Sequence, residues 1–349
     1  MIDCLQDTAV VILSYNGKKW HEQFLPLIVA EANAGYDVIV VDNASTDDTH
    51  QYVVDNYPAV KTVQIPVNYG FAHGYAEGLK QIKAKYYILL SADFEVTKGW
   101  FKPLHDAMEA DDMLAACAPK IRYWREKEYF EYAGAGGGFM DKYGYMFCRG
   151  RILNTLEKDE GQYNDSIEVF WASGGCFVVR ADLYHKLGGL DDQFYAHMEE
   201  IDLCWRFKNA GYRIGYVGSS TVYHVGGSVI SYGSPQKLYY NFRNSLVLLL
   251  KNERGSTLLW LFPVRFVLDG VAGLQALLKG KWKETLTIVK AHFHFYGKLG
   301  FWMRRRRVNK QYLGTRNETG IYRRSIVWDY FAGGKKTFPE LKWMPKKLK

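Results

Sequence analysis

Three acidic residues fall within four positions of the chain, at Glu199, Glu200 and Asp202. The apolar residues around them predict a helix over 199–210. Because a helix N-terminus favours negative charge, the cluster has a purely structural explanation. The chemical alternative is that one carboxylate faces a pocket as a general base, while the others cap the helix or pair with Arg206.

A second pair of acids, Asp93 and Glu95, follows the apolar run 86–90. Carboxylates directly after a strand can hold a hard divalent cation, which usually also binds the phosphates of a substrate. His224 follows another strand-like run and would be a further metal ligand only if the fold brings it to Asp93. Acidic loops and single histidines are also common as structural features, so these residues alone leave both interpretations open.

These polar residues belong to a repeated pattern of short apolar runs and helical stretches. In chain order, the predicted strands and helices are 10–13, 18–33, 38–41, 46–56, 60–65, 72–84 and 86–90. This alternation predicts an α/β fold with a doubly wound, mainly parallel sheet and helices on both faces. The spacing of Ser45 and Asp48 predicts a capping box at the start of the second helix.

In such a sheet, ligands bind beyond the carboxyl ends of the strands. Ser14 and Asn16 follow the first strand, Asp42 follows the second, and Asp93 follows the strand that ends near residue 90. Ordinary loop and cap chemistry would explain one such loop. Polar groups at three strand ends together favour a binding site.

Residues 115–230 are rich in glycine and aromatic residues. Within them, the small residues 172–175 follow Trp171 and precede a predicted strand at 176–180. Glycine there permits close approach of the backbone to a ligand, and a tight turn explains it equally well. The glycine-rich segment 134–138 lacks the spacing of a dinucleotide fingerprint, and the chain has no P-loop motif, so we exclude both classes of nucleotide site.

Composition and charge narrow the function classes further. With 48% hydrophobic and 23% charged residues, the chain is globular rather than disordered, and its five scattered cysteines predict reduced thiols rather than disulfides or zinc. Residues 279–349 contain 19 Lys and Arg against 4 Asp and Glu, whereas the first 278 residues contain 26 against 33. The basic tail predicts an anionic partner surface. Because the body is acidic, we expect a membrane and no nucleic acid.

The segment 236–310 is predicted to be mostly helical, and its most apolar part is 255–278. Arg265 and Asp269 interrupt that part, so we predict no membrane-spanning helix. Four residues apart, these two side chains share a helix face and can pair. The segment fits a helix lying in the membrane interface, and a core or dimer helix is the alternative. The N-terminus lacks the features of a signal peptide.

Taken together, the motifs resemble the family 2 glycosyltransferases, in particular the rhamnosyltransferase-like bacterial enzymes that build surface polysaccharides. The resemblance spans roughly residues 8–230, and 239–244 is a further, less specific match. The matching segments, in order, are 11–17, 40–47, 68–72, 89–96, 173–175, 188–191, 199–203 and His224.

The resemblance implies a GT-A fold over 1–235, with a nucleotide-binding half (1–96) and an acceptor-binding half (97–235). A helical, basic, membrane-associating extension (236–349) would follow. The implied activity is inverting transfer of a sugar from a nucleotide-diphosphate sugar to a hydroxyl of a glycan or polyprenyl-linked acceptor, with Mg²⁺ or Mn²⁺. The implied location is the cytoplasmic face of the cell membrane, held peripherally by the tail and by Arg304 to Arg307.

The resemblance also assigns roles to individual residues. Glu200 would be the catalytic base, and Asp93 and His224 would bind the metal. The remaining residues would line the donor side (Ser14, Asn16, Asp42, Asn68, Gly70 and again Asp93) and the sugar and acceptor side (Trp171, Gly174, Gly175 and Glu199).

Two positions depart from the family pattern. The metal motif reads Ser91-Ala92-Asp93, so its first acid is absent, and Glu95 is a candidate to compensate. The base is Glu rather than the commoner Asp. The missing acid also supports a rival hypothesis, in which the chain is a non-catalytic nucleotide-sugar-binding or scaffold subunit.

Overall fold

A parallel sheet forms the N-terminal half of the chain, in this computed structural model that describes residues 1–131, 135–226, 234–312 and 314–348. Its strands are β1 (Thr8–Ser14), β2 (Tyr36–Asn43), β3 (Lys61–Ile65) and β4 (Tyr86–Ser91). They lie in the order β4-β1-β2-β3, and all neighbours are parallel. The predicted runs 10–13, 38–41, 60–65 and 86–90 each fall on one of these strands.

Continuous apolar runs form these strands because both faces of the sheet are covered. Val11 and Ile39 lie in one core, and Val10 and Val40 lie in the other, on the opposite face. Each such buried side chain stabilises the fold by about 1.5–3 kcal/mol. The covering helices are α1 (Lys18–Ala30), α2 (Thr49–Asn56), α3 (Phe71–Leu79) and α4 (Phe101–Ala110).

The sheet continues into the second half of the chain, where its strands become mixed in direction. The added strands are β5 (Phe94–Val96), β6 (Leu114–Tyr123), β11 (Ser166–Glu168), β12 (Cys176–Arg180) and β13 (Arg213–His224). The full order is β11-β13-β6-β12-β4-β1-β2-β3, with β5 on the end of β13. β12 is antiparallel to β4 and joins the two halves, and β13 carries His224 to the edge where β4 ends.

A smaller sheet packs beside the large one. Its order is β10-β9-β8-β7-β14, built from β7 (Gly138–Asp141), β8 (Met146–Cys148), β9 (Arg151–Ile152), β10 (Thr155–Leu156) and β14 (Ile321–Tyr322). β14 comes from the C-terminal segment, and the backbone N–H of Leu348 donates to the carbonyl of Ser166. The C-terminal segment is therefore folded onto the strands of residues 138–168. The predicted boundary at 235 lies just after 227–233, which are outside the described residues.

The remaining helices lie in the second half of the chain. They are α5 (Ala181–Lys186), α6 (Glu199–Asn209), α7 (Pro235–Asn252), α8 (Gly255–Leu278), α9 (Trp282–Gly297), α10 (Leu299–Lys310) and α11 (Ile326–Phe331). The predicted helical character of 236–310 and the helix at 199–210 are thus observed.

The predicted capping box is wrong. Helix α2 begins at Thr49, and Asp48 precedes it without a side-chain cap. The Ser45 hydroxyl instead accepts from the backbone N–H of Asn16, at 3.0 Å, and Asp48 pairs with Lys18. Both contacts reach across to the loop after β1, which local sequence spacing does not register.

Some of the C-terminal basic residues are engaged by the protein itself, although most of those that the structure describes are exposed. Arg305 pairs with Asp191 at 2.6 Å, and the buried Arg306 donates to the carbonyls of Leu250 and Glu253. Of the four consecutive arginines, only Arg304 and Arg307 are exposed. The tail is consequently less available to an anionic surface than its composition suggests.

Helix α8 is long and apolar enough to cross a membrane by length and composition, so the expectation that no such helix exists is not confirmed. Its two charged residues nevertheless pair as predicted, with Arg265 and Asp269 3.4 Å apart and both buried. Arg265 also lies over the ring of Tyr145, and Asp269 meets His292 of α9 at 3.1 Å. The charged face of α8 is therefore turned toward the protein.

Candidate active site

The loops that follow β1 and β2 are held together at the carboxyl edge of the sheet. The Asn16 side-chain oxygen accepts from the backbone N–H of Thr46 at 2.8 Å, with Asn16 in the left-handed region at φ 50°. Ser14 is buried, and its hydroxyl lies 2.9 Å from His21 Nε2, which fixes the turn into α1. Asn16 and Ser14 thus shape this edge mainly through the backbone they position.

Asp42 ends β2 with a buried carboxylate. The residue is 3% exposed, and its Oδ1 has no hydrogen-bond partner among the described residues. A buried carboxylate oxygen without a donor is costly, since it has lost water and gained nothing in return. The arrangement suits a ligand that brings an N–H or O–H group to this oxygen.

Asn68 and Gly70 join the same edge through Asn43. Asn43 Nδ2 donates to Asn68 Oδ1 at 3.1 Å, and that oxygen also accepts from the backbone N–H of Gly70 at 2.9 Å. Gly70 has φ 101°, and a Cβ there would fall 2.7 Å from the carbonyl oxygen of Tyr195. Only glycine fits this position, so the donor-side loop contacts the segment that leads into α6.

Asp93 and His224 meet, as the sequence required for a shared metal site. His224 Nε2 lies 3.3 Å from Asp93 Oδ2, and its other nitrogen lies 3.3 Å from Glu131 Oε1. The ring also stacks on Phe94, with centroids 4.2 Å apart. Burial disfavours the charged imidazole, but Asp93 and Glu131 together overcome it and raise the pKa of His224 to about 10.

The donor set suits a divalent cation. A carboxylate oxygen and an imidazole nitrogen are both ligands that Mn²⁺ accepts, and a carboxylate suits Mg²⁺. Metal-binding histidines commonly donate their other ring N–H to a carboxylate, which fixes the ring. Glu131 stands in that place, since it contacts Nδ1 and leaves Nε2 facing Asp93. Sequence reasoning missed Glu131, which carries no motif of its own.

Glu95 does not take the place of the absent first acid. One of its carboxylate oxygens accepts from Trp124 Nε1 at 2.7 Å, and the other pairs with Lys127. Both oxygens are therefore occupied by side chains of the loop after β6.

The three acids of α6 have different surroundings. Asp202 is buried against cations, with Arg206 at 3.0 Å and Lys251 at 2.8 Å, which confirms the predicted pairing with Arg206. Glu199 is buried, and Glu200 is partly exposed. Each of these two has a buried carboxylate oxygen with no partner in the described part of the chain. Asp202 is a structural ion-pair residue, whereas Glu199 and Glu200 remain for chemistry.

Glu199 and Glu200 both bind protons more tightly than ordinary carboxylates. Burial raises the pKa of Glu200 to about 7, against hydrogen bonds from backbone N–H groups that lower it. Burial and the neighbouring charge of Glu200 raise the pKa of Glu199 well above its usual range. A carboxylate that titrates near neutrality is suited to accept a proton during catalysis.

Two adjacent glycines lie between Glu200 and the Asp93–His224 pair. A Cβ on Gly174 would lie 3.2 Å from the Glu200 side chain, and a Cβ on Gly175 would lie 2.8 Å from the ring of Phe94, which stacks on His224. The predicted residues Glu200, Gly174, Gly175, Asp93 and His224 are thus brought together through these contacts.

Trp171 does not join that group. Its indole is 5% exposed, packs where a Cβ on Gly138 would fall, and donates to the carbonyl of Phe139 at 3.0 Å. The side chain ties the large sheet to the small one. Its position next to the small residues 172–175 in sequence suggested an acceptor wall, but the alternation of the chain turns it into the core.

The segment before α6 is strained. Tyr195, His197 and Met198 have φ of 67°, 69° and 73°, in the left-handed region that non-glycine residues rarely adopt. Each such residue costs about 1–3 kcal/mol and persists only where its surroundings impose it. Strain of this kind is concentrated at functional sites, and here it immediately precedes Glu199 and Glu200.

Comparison with known proteins identifies the class. The model of glycosyl transferase family 2 matches residues 9–188, more than half of the chain, and the chain belongs to this family. The chain is a glycosyltransferase with a GT-A fold, as the resemblance predicted.

Two relatives in sequence are rhamnosyltransferases. The chain is 25% identical over 287 residues to N-acetylglucosaminyl-diphospho-decaprenol L-rhamnosyltransferase of Mycobacterium tuberculosis, covering 77% of this chain and 91% of that protein. It is 25% identical over 240 residues to Rhamnosyltransferase WbbL of Escherichia coli K12, covering 62% of this chain and 82% of that protein.

Two solved structures share the fold. The structure of GalNAc-T7 with UDP, GalNAc and Mn²⁺ superposes with a TM-score of 0.54 and 16% identity, over 71% of this chain and 48% of that one. Residues 1–349 of S. aureus TarS in complex with UDP-GlcNAc superpose with a TM-score of 0.53 and 16% identity, over 88% of this chain and 91% of that one.

Proposed function

We propose that the protein is an inverting glycosyltransferase that moves a sugar from a nucleotide-diphosphate sugar to a hydroxyl of a lipid-linked glycan acceptor. The observation that carries the proposal is the position of Glu200, whose side chain lies against Gly174 and whose pKa is raised to about 7. The adjacent Gly175 lies against the ring of Phe94, which stacks on His224. A base and a cation-binding pair on two sides of one small-residue turn are what direct displacement at a sugar carbon requires.

The donor would lie along the carboxyl edge of the parallel sheet. The unpartnered oxygen of Asp42 would accept a hydrogen bond from the nucleobase of the donor. Ser14 and Asn16 would line the nucleotide through the turns that they stabilise. Asn68 and Gly70 would close the same pocket beside Tyr195. The sugar end of the donor would then point toward Glu200.

Asp93 and His224 would hold a divalent cation, Mg²⁺ or Mn²⁺, with Glu131 orienting the histidine. When bound, such a cation neutralises the charge that develops on the leaving nucleotide diphosphate. The Mn²⁺ bound together with UDP by GalNAc-T7, which shares the fold, supports this choice of cofactor. One carboxylate and one imidazole are fewer ligands than the family's usual set, so the remaining positions suit phosphate oxygens and water.

Glu200 would act on the acceptor. As the acceptor oxygen attacks C1 of the donor sugar, its proton passes to the Glu200 carboxylate and the bond from C1 to the diphosphate oxygen breaks. Because a single displacement inverts the anomeric carbon, no covalent sugar–enzyme intermediate is needed. Glu199 would lie on the acceptor side and share the charge of the pair, and the adjacent glycines leave space for the sugar.

A lipid-linked acceptor is supported by the relatives and by one surface of the molecule. The name of the M. tuberculosis relative describes a diphospho-decaprenol acceptor. Here, α8 and α9 expose an apolar surface that we call the hairpin face. Its members are Leu259, Trp260, Phe266, Val267, Val271, Leu274, Leu277, Leu278, Trp282, Leu286, Val289, Phe293 and Tyr296.

The outward direction of the hairpin face favours contact with lipid rather than burial in the core of the protein. The charged pair of α8 is buried inward while the apolar side chains point outward, which is the reverse of an ordinary surface helix. Exposed Lys279, Lys281 and Lys283 flank it at the turn between the two helices. Apolar side chains rimmed by lysines suit an anionic membrane interface, and nucleotide sugars would reach the enzyme from the cytoplasm.

The proposal is tested with purified protein and a panel of UDP-, GDP- and dTDP-sugars, with Mn²⁺, with Mg²⁺ and with EDTA. We expect one donor to transfer to a polyprenyl-diphosphate sugar acceptor, and EDTA to abolish the transfer. Glu200→Gln should remove turnover but keep donor binding, whereas Glu160→Gln, at an exposed glutamate, should change neither.

Two results would overturn the proposal. Full transfer by Glu200→Gln would exclude this residue as the base. Donor binding without any transfer to the acceptor, in the unmodified protein, would favour the non-catalytic scaffold.

A further inference from the structure

The segment that delivers the base needs an external restraint. Tyr195, His197 and Met198 are left-handed, and Glu199 begins α6 directly after them. The cap residue Met198 makes no side-chain hydrogen bond to the helix. The segment therefore does not hold its own conformation through a local cap, and its restraint must come from elsewhere in the fold.

Asn244 of α7 supplies that restraint. Its Nδ2 donates to three backbone carbonyls of the segment, Phe194 at 3.2 Å, Ala196 at 3.0 Å and His197 at 2.7 Å. Asn244 is fully buried, and its Oδ1 accepts from Arg243 Nε at 2.8 Å, which fixes the orientation of the amide. One side chain thus binds the carbonyls on both sides of the first left-handed residue.

Two neighbours on α7 act on the same segment. The Arg243 guanidinium donates to the carbonyls of Gln193 and Phe194, each at 3.0 Å. The ring of Tyr240 stacks on Tyr195, with centroids 5.4 Å apart. Residues 240, 243 and 244 share one face of a helix, so α7 presents them together.

The segment is also fixed on its other side by the donor-side loop. The backbone N–H of Ala72 donates to the Tyr195 carbonyl at 3.3 Å, and Gly70 approaches the same residue closely. The segment that leads into α6 is therefore held between α7 and the loop of Gly70 and Ala72.

We propose that Asn244 is a positioning residue that sets the placement of Glu200 by holding the carbonyls of 194–197. The inference rests on the proposed role of Glu200 and adds a specific requirement from outside the family's matched region, residues 9–188. Arg243 and Tyr240 support the same segment, and Asn244 is the residue whose amide N–H groups no acidic isostere can replace.

The test compares Asn244→Asp with Gln236→Glu, an amide-to-acid change at an exposed position of the same helix. Asn244→Asp keeps the shape but replaces the amide donors with a carboxylate that the three carbonyls repel. We expect kcat to fall at least tenfold, the donor KM to stay within about twofold, and the acidic limb of the kcat–pH profile to move. Gln236→Glu should match the unmodified protein in all three.

A merely structural role would lower the folded fraction and leave the kcat–pH profile of the folded enzyme unchanged, and that result would overturn the inference. If Asn244→Asp does not fold, Arg243→Lys provides the second variant, because it keeps the charge but loses part of the guanidinium's contacts. Unchanged kcat in Arg243→Lys would then contradict the proposed positioning of Glu200 by α7. Full activity of Glu200→Gln would instead refute the proposed function itself, so the two failures are distinguishable.

Discussion

At the scale of single residues, the site depends on carboxylates in unlike surroundings. Asp202 lies among Arg206 and Lys251, whereas Glu199 and Glu200 have no such cation among the described residues and bind protons tightly. Three acids of similar type in one helical turn therefore have separate duties, and their environments assign them.

The first prediction concerns pH. As the proposed base, Glu200 must be ionised to accept a proton, so kcat should fall as the pH drops below its pKa of about 7. Burial and the charge of Glu200 make Glu199 hold its proton more tightly, so Glu199→Gln, an uncharged replacement, should leave this midpoint close to that of the unmodified protein. A kcat–pH profile of both proteins at saturating donor measures the two midpoints, and a large shift in Glu199→Gln would contradict this order of titration.

The second prediction concerns stability. Because the pKa of Glu200 is raised in the folded protein, ionisation disfavours the folded state, and stability is lost as the pH rises through about 7. Glu200→Gln carries no charge and should therefore have a higher Tm than the unmodified protein at about pH 8, with a smaller difference at about pH 5. Thermal unfolding at both pH values tests this, and Glu160→Gln is the control.

The third prediction concerns the metal-ligand pair. Glu131→Gln keeps a side chain of the same size beside His224 Nδ1 but weakens the charge that orients the ring. We expect Mn²⁺ affinity to fall about 10–100-fold, with activity restored at high Mn²⁺. A Mn²⁺ titration of transfer activity measures it, and an unchanged half-saturating concentration would show that Glu131 does not support the metal.

At the scale of elements, the site depends on glycines that let strands and helices approach. Tyr195 packs closely against Gly70, Phe94 against Gly175, and Glu200 against Gly174. Such close approaches are tolerated because the missing Cβ leaves space for the neighbouring group. The geometry of the site is thus set where secondary-structure elements meet.

The fourth prediction follows from Gly174. A methyl group there would stand 3.2 Å from Glu200 Cγ, so the flexible carboxylate has to move. We expect Gly174→Ala to lower kcat about tenfold with little change in Tm. Gly300→Ala on α10, where a Cβ meets no atom within 4 Å, is the matched control. Unchanged kcat in Gly174→Ala would show that the Glu200 side chain can accommodate the methyl group without loss of activity.

At the scale of the whole molecule, the C-terminal segment (236–349) is part of the fold and also contains the hairpin face. Residues 321–322 extend the small sheet, and α7 packs against the segment before the base. In contrast, α8 and α9 leave their apolar side chains outside. Removal of the C-terminal segment would therefore disturb the small sheet and the segment before α6 as well as the hairpin face.

The fifth prediction concerns that surface. Phe266→Glu and Leu274→Glu should weaken binding to vesicles that contain phosphatidylglycerol, because each places a charge on the hairpin face. Replacing Lys279, Lys281 and Lys283 by Gln should cost about 1 kcal/mol per lysine near the surface and reduce the salt dependence. Vesicle sedimentation measures both effects.

The control for this prediction is Leu5→Glu, at an 87% exposed leucine outside the hairpin face. Equal vesicle binding by Phe266→Glu and Leu5→Glu would contradict a membrane role. A change from dimer to monomer in Phe266→Glu, without loss of vesicle binding, would assign the hairpin face to a second copy of the chain.

The sequence alone determined the strands of the parallel sheet, the helix that carries Glu199 and Glu200, and the family. These features depend on local patterns: the periodicity of apolar residues, the polar residues at strand ends and the order of the motifs. The same locality explains the failures. The capping box at Ser45 gave way to a contact with Asn16 from another loop. The burial of Trp171 and the hydrogen bond from its indole to the Phe139 carbonyl were likewise not evident from its neighbours in sequence.

Only the tertiary structure determined which of these side chains contact each other. Glu131 reaches His224 from 93 positions away, and Asn244 reaches the segment before α6 from another helix. Neither contact produces a recognisable spacing in the sequence, because residues that pack together in the fold need no fixed separation along the chain. The direction of the charged pair of α8, inward, and of its apolar face, outward, was likewise settled by what the rest of the fold packs against.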